Sequence, residues 1–104
     1  MRKILQSKEA RLALAEIFLY TLEHWGNEQA ESYLQRILNA FSKLATNPAM
    51  GQLHGDYPDR FRVLVIGSHT IIYFYSKETL YIAAVLHSSM DIATRLKRLK
   101  ATFH

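Results

Sequence analysis

Residues 61–67 read FRVLVIG, residues 68–76 SHTIIYFYS and residues 77–91 KETLYIAAVLHSSMD. Val, Ile, Phe and Tyr dominate these runs, the composition that a pleated, half-buried surface favours. Gly67-Ser68 and Ser76-Lys77-Glu78-Thr79 supply the turn chemistry between them. Runs this close together pair only as antiparallel neighbours, because a parallel pairing needs a longer crossover. The stretch from Arg60 to Asp91 is therefore expected to form a three-stranded antiparallel meander, closed by the polar cluster Leu86-His87-Ser88-Ser89-Met90-Asp91.

Such a sheet needs a cover, and the preceding residues provide one. Lys3-Ile4-Leu5-Gln6 is short and apolar in its middle, and is expected to join an edge of the sheet as a first strand. Ser7 can cap a helix. From Lys8 to Trp25 the positions Leu14, Ile17, Phe18, Thr21 or Leu22, and Trp25 recur at helical spacing, with Arg11, Glu16 and Glu23 largely outside the stripe. Gly26 is expected to stop this helix in a left-handed conformation. Asn27 is expected to cap the next, with Glu28 in a first turn where the helix dipole favours an anion. Ala30, Tyr33, Leu34, Ile37, Leu38, Phe41, Leu44 and Ala45 then make a continuous apolar stripe, ended by Asn47-Pro48. Two helices joined by so short a connection form a helical hairpin. Laid on the meander, the hairpin gives an α+β domain with its helices on a small antiparallel sheet.

The segment Asn47 to Asp59, NPAMGQLHGDYPD, has no periodicity and reads as a connector, although loops on rigid scaffolds also carry function. After Asp91, Ile92, Leu96 and Leu99 share one face of what reads as a short basic amphipathic helix ending at Lys100.

Composition narrows the class. The 104 residues suffice for one domain with a single core, from residue 1 to 104. No run is long and apolar enough for a membrane span, and MRKILQSKEA lacks the apolar region of a secretory signal. The chain has no cysteine, so disulfides and thiolate metal sites are excluded. The five histidines, at positions 24, 54, 69, 87 and 104, show no metal-ligand spacing, and no cofactor motif is present. A formal charge of +4 and a pI near 9.5 suit an acidic partner or nucleic acid without requiring either.

The order of these pieces resembles a known family. Trp25-Gly26 with Ala30, the Ala45–Gly51 segment with Pro48 between, Phe61-Arg62, His69-Thr70-Ile71-Ile72-Tyr73 and the final Leu86-His87 with Asp91 are together similar to the ParE branch of the ParE/RelE toxin superfamily. The resemblance runs from about Ser7 to Leu99 and implies the fold just derived. It further implies a bacterial cytoplasmic toxin of a type II toxin–antitoxin pair, one that inhibits DNA gyrase and is neutralised by a cognate, ParD-like antitoxin. The RelE branch shares the fold but cuts messenger RNA on the ribosome, so function must be read from the site.

RNA cleavage through a 2′-hydroxyl needs a general acid and base, and cations for the developing phosphate charge. The residues available for this alternative are Arg62, Tyr73 and His87. Yet the two later strands contain no Arg or Lys, and the paired lysines of the RNase branch are absent before the sheet, where Gln52-Leu53-His54-Gly55-Asp56 stands instead. The expectation is therefore a binding protein and not a nuclease. Its target-binding candidates are His87, Asp91, Arg95, Lys97, Arg98 and Lys100, four of them cations able to engage an acidic protein patch or the phosphates of gyrase-bound DNA. Whether the chain touches nucleic acid directly is left open by the sequence.

Each of these residues also has a purely structural reading. His87 can be a strand-end histidine satisfied by backbone or by Asp91. Tyr73 can be a packed ring with a bonded hydroxyl. Arg62 can pair with Asp59 or a helix carboxylate, and Trp25 can pack in the core or against the helix end. The basic segment can be a solvated face.

Overall fold

A computed structural model describes residues 1–53 and 60–88. It contains strand β1 (Lys3–Gln6), helix α1 (Lys8–Trp25), helix α2 (Asn27–Thr46), a 3-10 turn (Pro48–Met50) and strands β2 (Gln52–Leu53), β3 (Arg62–Ile66), β4 (His69–Tyr75) and β5 (Thr79–His87). The meander is present as expected, with β3 antiparallel to β4 and β4 antiparallel to β5. The sheet order is β1-β5-β4-β3-β2. β1 does take an edge and runs parallel to β5, which makes the sheet mixed. That direction is open to it because both helices and three strands separate the two in sequence.

Three details differ from expectation. The segment after Pro48 is not a bare connector: it winds one 3-10 turn and adds β2 as a fifth strand, paired with β3 through Gln52↔Val63 and Leu53↔Arg62. The break between the helices belongs to Gly26 alone. Its φ of +92° with ψ of 173° is an extended mirror-image conformation open to glycine and not the left-handed helical one, and Gly26, not Asn27, is the N-cap of α2. Trp25 is 71% exposed, so core packing does not account for it. The basic helix expected after Asp91 lies outside the described residues.

The main core lies between helices and sheet. Ala10, Leu14 and Ile17 of α1 and Ile37, Phe41 and Leu44 of α2 meet Ile71, Tyr73, Leu80, Ile82 and Val85. Phe61, Ile72, Phe74, Ala83, Ala84 and Leu86 form a second cluster on the other side of the sheet. There Phe61 meets Phe74 edge-on at 5.5 Å, Tyr81 stacks on Phe74 at 4.7 Å, and the Arg60 guanidinium lies 4.2 Å from the Phe74 ring centre.

Those two clusters expose an irregularity that period-two reading misses. Ile72 pairs with Ala84 but Tyr73 pairs with Ile82, so β5 carries one extra residue, Ala83. This bulge exchanges the two faces of the strand. Leu80 and Ile82 face the helices, and so do Val85 and, by alternation, His87. Ser7 secures the bulge: its N–H donates to the Ile82 carbonyl at 3.0 Å and its hydroxyl to the Ala83 carbonyl at 2.7 Å. The same hydroxyl oxygen accepts the Ala10 N–H at 2.9 Å, capping α1 as expected. Among the described residues, no helix is long and apolar enough to cross a membrane.

Candidate functional site

The residues singled out from the sequence separate into two groups at opposite ends of the helix-facing side of the sheet.

At the first end, Arg62 and Tyr73 are cross-strand partners. Both are committed to backbone. The Tyr73 hydroxyl donates to the Pro48 carbonyl at 2.6 Å and accepts the Gly51 N–H at 2.8 Å. Arg62 Nη1 donates to the Gly51 carbonyl at 2.8 Å. Between them they satisfy the groups that the 3-10 turn leaves open as the chain enters β2. The Tyr73 ring is wholly buried. Burial pushes its pKa above the ordinary 10.0, outweighing the Gly51 hydrogen bond and the Arg62 charge that pull the other way. Gly51 has no side chain because there is no room for one: a Cβ there would collide with the Tyr73 hydroxyl and lie 2.8 Å from the Val63 carbonyl oxygen.

His87 is elsewhere. Tyr73 pairs with Ile82, and His87 ends β5 about 14 Å further along, four β4 positions at about 3.4 Å each, because the bulge residue adds no length. There it pairs with His69, the rings meeting edge-on at 5.4 Å. His69 Nδ1 lies 2.6 Å from the Tyr33 hydroxyl of α2. That hydroxyl also accepts the Ser68 N–H at 3.1 Å and is 3.2 Å from the Ile66 carbonyl, so it fastens the β3–β4 turn to α2. Burial, then the neighbouring His87, lower the pKa of His69 from the ordinary 6.5. The Tyr33 hydroxyl has one proton to share between the Ile66 carbonyl and His69 Nδ1, so the tautomer of His69 decides whether Nδ1 accepts it or donates to the hydroxyl oxygen.

This corner is open. A cleft of about 800 Å³ is lined by Glu16, Tyr20 and Trp25 of α1 and by Tyr33, His69 and His87. A second, of about 640 Å³, shares Glu16, Ile17, His69 and His87 and continues along α1 past Leu12. Aromatic rings with a few polar tips, half-exposed beside a groove, suit protein recognition better than phosphate chemistry. Among the described residues, no three His, Asp or Glu side chains converge as a metal site requires.

Of the nuclease candidates, then, Arg62 and Tyr73 stand together while His87 stands apart from both. Of the target-binding candidates, His87 is placed at the cleft, and Asp91, Arg95, Lys97, Arg98 and Lys100 lie outside the described residues. His69, Tyr33 and Glu16 were not visible as site residues in the sequence. The one available signal was that a hairpin pairing of the last two runs can set His69 opposite His87.

Residues 4–92 match the family described as ParE toxin of type II toxin-antitoxin system, parDE. The chain is 36% identical over 95 residues to Toxin ParE1 of Mycobacterium tuberculosis, covering 90% of this chain and 97% of that protein. It is 31% identical over 90 residues to Toxin ParE1 of Caulobacter vibrioides, covering 86% of this chain and 93% of that one. In fold it is similar to a chain of the chromosomal ParDE TA system from P. aeruginosa, with a TM-score of 0.71 at 16% identity over 84% of this chain and 96% of the other.

Proposed function

The chain belongs to the ParE toxins of type II toxin–antitoxin systems, and we propose that it acts by capturing DNA gyrase and is itself neutralised by a cognate, ParD-like antitoxin. Gyrase is the target that the ParE resemblance implies. The observation that carries capture rather than RNA cleavage is the engagement of Tyr73 and Arg62 with the backbone of Pro48 and Gly51. A proton donor sealed in the core is not available to a scissile phosphate, and the Arg62 guanidinium turns Nη1 into the same backbone turn. His87, about 14 Å away along the sheet, cannot act with them on one bond.

The gyrase-facing surface in this reading joins His87 to the downstream Asp91, Arg95, Lys97, Arg98 and Lys100, whose four cations suit an acidic protein patch or the phosphates of gyrase-bound DNA. The test is a purified-gyrase cleavage assay beside a ribosome-dependent mRNA cleavage assay. The parent chain should accumulate cleaved DNA with gyrase and leave mRNA intact. Neutralising Arg95 and Arg98 together should abolish gyrase poisoning without unfolding the domain. Ribosome-dependent cleavage by the parent, lost on His87→Ala, would overturn the proposal.

A further inference from the structure

The outer side of α1 carries a second apolar stripe. Lys8, Leu12, Ala15, Leu19, Leu22 and Gly26 follow one another at alternating spacings of four and three, the repeat of a coiled-coil seam. These positions lie on the side of α1 opposite Ala10, Leu14 and Ile17, which are buried on the sheet and α2. Leu12 is 55% exposed, Leu19 60% and Leu22 36%, and Ala15 is exposed between them. Single exposed leucines are ordinary, but a row at heptad spacing is not. An α1 made only to cover the sheet would be polar along this line.

The spacing selects the occupant. A strand reads every second residue and a loop reads none, whereas a facing helix meets positions four and three apart. Ala15 at the centre lets the two axes approach. The flanks set the charge. Glu16 and Glu23 border one side of the seam, and Arg11, Phe18 and Trp25 border the other. A second copy docked antiparallel would set its glutamates against these, and docked parallel it would offer Arg11 alone to meet Glu16. The seam therefore asks for the sign opposite to the one the +4 chain attracts as a whole.

We propose that the seam Leu12-Ala15-Leu19-Leu22 receives an amphipathic helix of the antitoxin, with large aliphatic residues on its contact face and Lys or Arg on the edge that meets Glu16 and Glu23. The inference rests on the reading above that a cognate antitoxin binds this chain. It adds the surface and the chemistry of one contact.

The test uses the full-length toxin with the antitoxin protein encoded beside it, in three forms: parent, Leu12→Glu with Leu19→Glu, and Glu16→Lys with Glu23→Lys. The substituted side chains are exposed, so circular dichroism melts should match the parent. Binding should slow hydrogen exchange across residues 12–22 of the parent, and each double variant should bind about 30-fold more weakly. Unchanged affinity in both variants, with the parent binding tightly, would overturn the seam and leave the antitoxin reading standing. No binding by the parent would remove both. A concentration-dependent dimer of the free toxin, dissolved by the leucine variant, would give the seam to a second copy instead. Loss of gyrase poisoning with antitoxin binding intact would give it to the target.

Discussion

Tyr73 and Tyr33 both point a hydroxyl at a backbone turn, one at each end of the same sheet face. Tyr73 is wholly buried and, among the described residues, its hydroxyl bonds the Pro48 and Gly51 backbone. Tyr33 is half-buried, and beside its backbone partners it holds His69, whose ring in turn meets His87 at the mouth of a cleft. The first arrangement turns the tyrosine hydroxyl inward, where it contributes to stability. The second keeps titratable rings at the surface. Chemically similar side chains thus have different roles because one is sealed in and the other is not.

The widest gap between the two ends should appear on deleting the buried hydroxyl. Tyr73→Phe leaves the Pro48 carbonyl and the Gly51 N–H without their partner inside the protein, and should cost about 2–4 kcal/mol. Urea unfolding measures the loss, and NMR shifts of His69 and His87 should stay in place. Movement of those shifts would mean that the two ends are coupled and the contrast is false.

Gly51→Ala tests the same end from the other side. The added methyl must displace the Tyr73 hydroxyl or the Val63 strand, and about 1–3 kcal/mol of destabilisation is expected. A variant as stable as the parent would show that the turn is looser than its hydrogen bonds indicate.

Ser7→Ala should cost about 1–2 kcal/mol, for the helix cap and the bond to the bulge carbonyl. Its sharper readout is positional. If Ser7 secures the bulge that turns His87 toward α1, the through-space NMR contact between His69 and His87 should weaken in this variant.

The smallest effect belongs to the open end. His69 has a folded-state pKa below its ordinary 6.5, so as pH falls the unfolded chain takes up a proton first. Its contribution to stability is complete above about 6.5 and is lost as the pH falls below that toward the lowered value. His69→Gln should flatten that part of the stability–pH curve. His87→Ala removes the second cause of the shift, so it should raise the His69 pKa in an NMR titration while costing about 1 kcal/mol or less. An unchanged His69 pKa would show that burial alone sets it.

Much of this was legible in the chain itself. The stripe of α2 names its core residues because Ile37, Phe41 and Leu44 repeat at helical spacing along one buried face. The three β-runs are bounded by their turn residues, and Ser7 is visible as a cap. The order and spacing of these pieces carried the family as well. Each of these signals is local: periodicity, turn chemistry and capping act within a few residues of chain.

What only the tertiary structure decided depends on groups far apart in sequence. The bulge at Ala83 has its carbonyl held by the hydroxyl of Ser7, 76 positions away. That extra residue puts His87 on the helix side beside His69, where strict alternation from Leu80 would have put it on the other face. Nothing local in Tyr73 says that its hydroxyl closes onto Pro48, or in Trp25 and Leu19 that they stay in solvent. The buried stripe of α1 was legible at Leu14, Ile17 and Thr21, but that it stops short of Trp25 and that a second stripe stays uncovered was not. Periodicity marks where apolar residues recur, and only packing against β5 and α2 selects those that are covered.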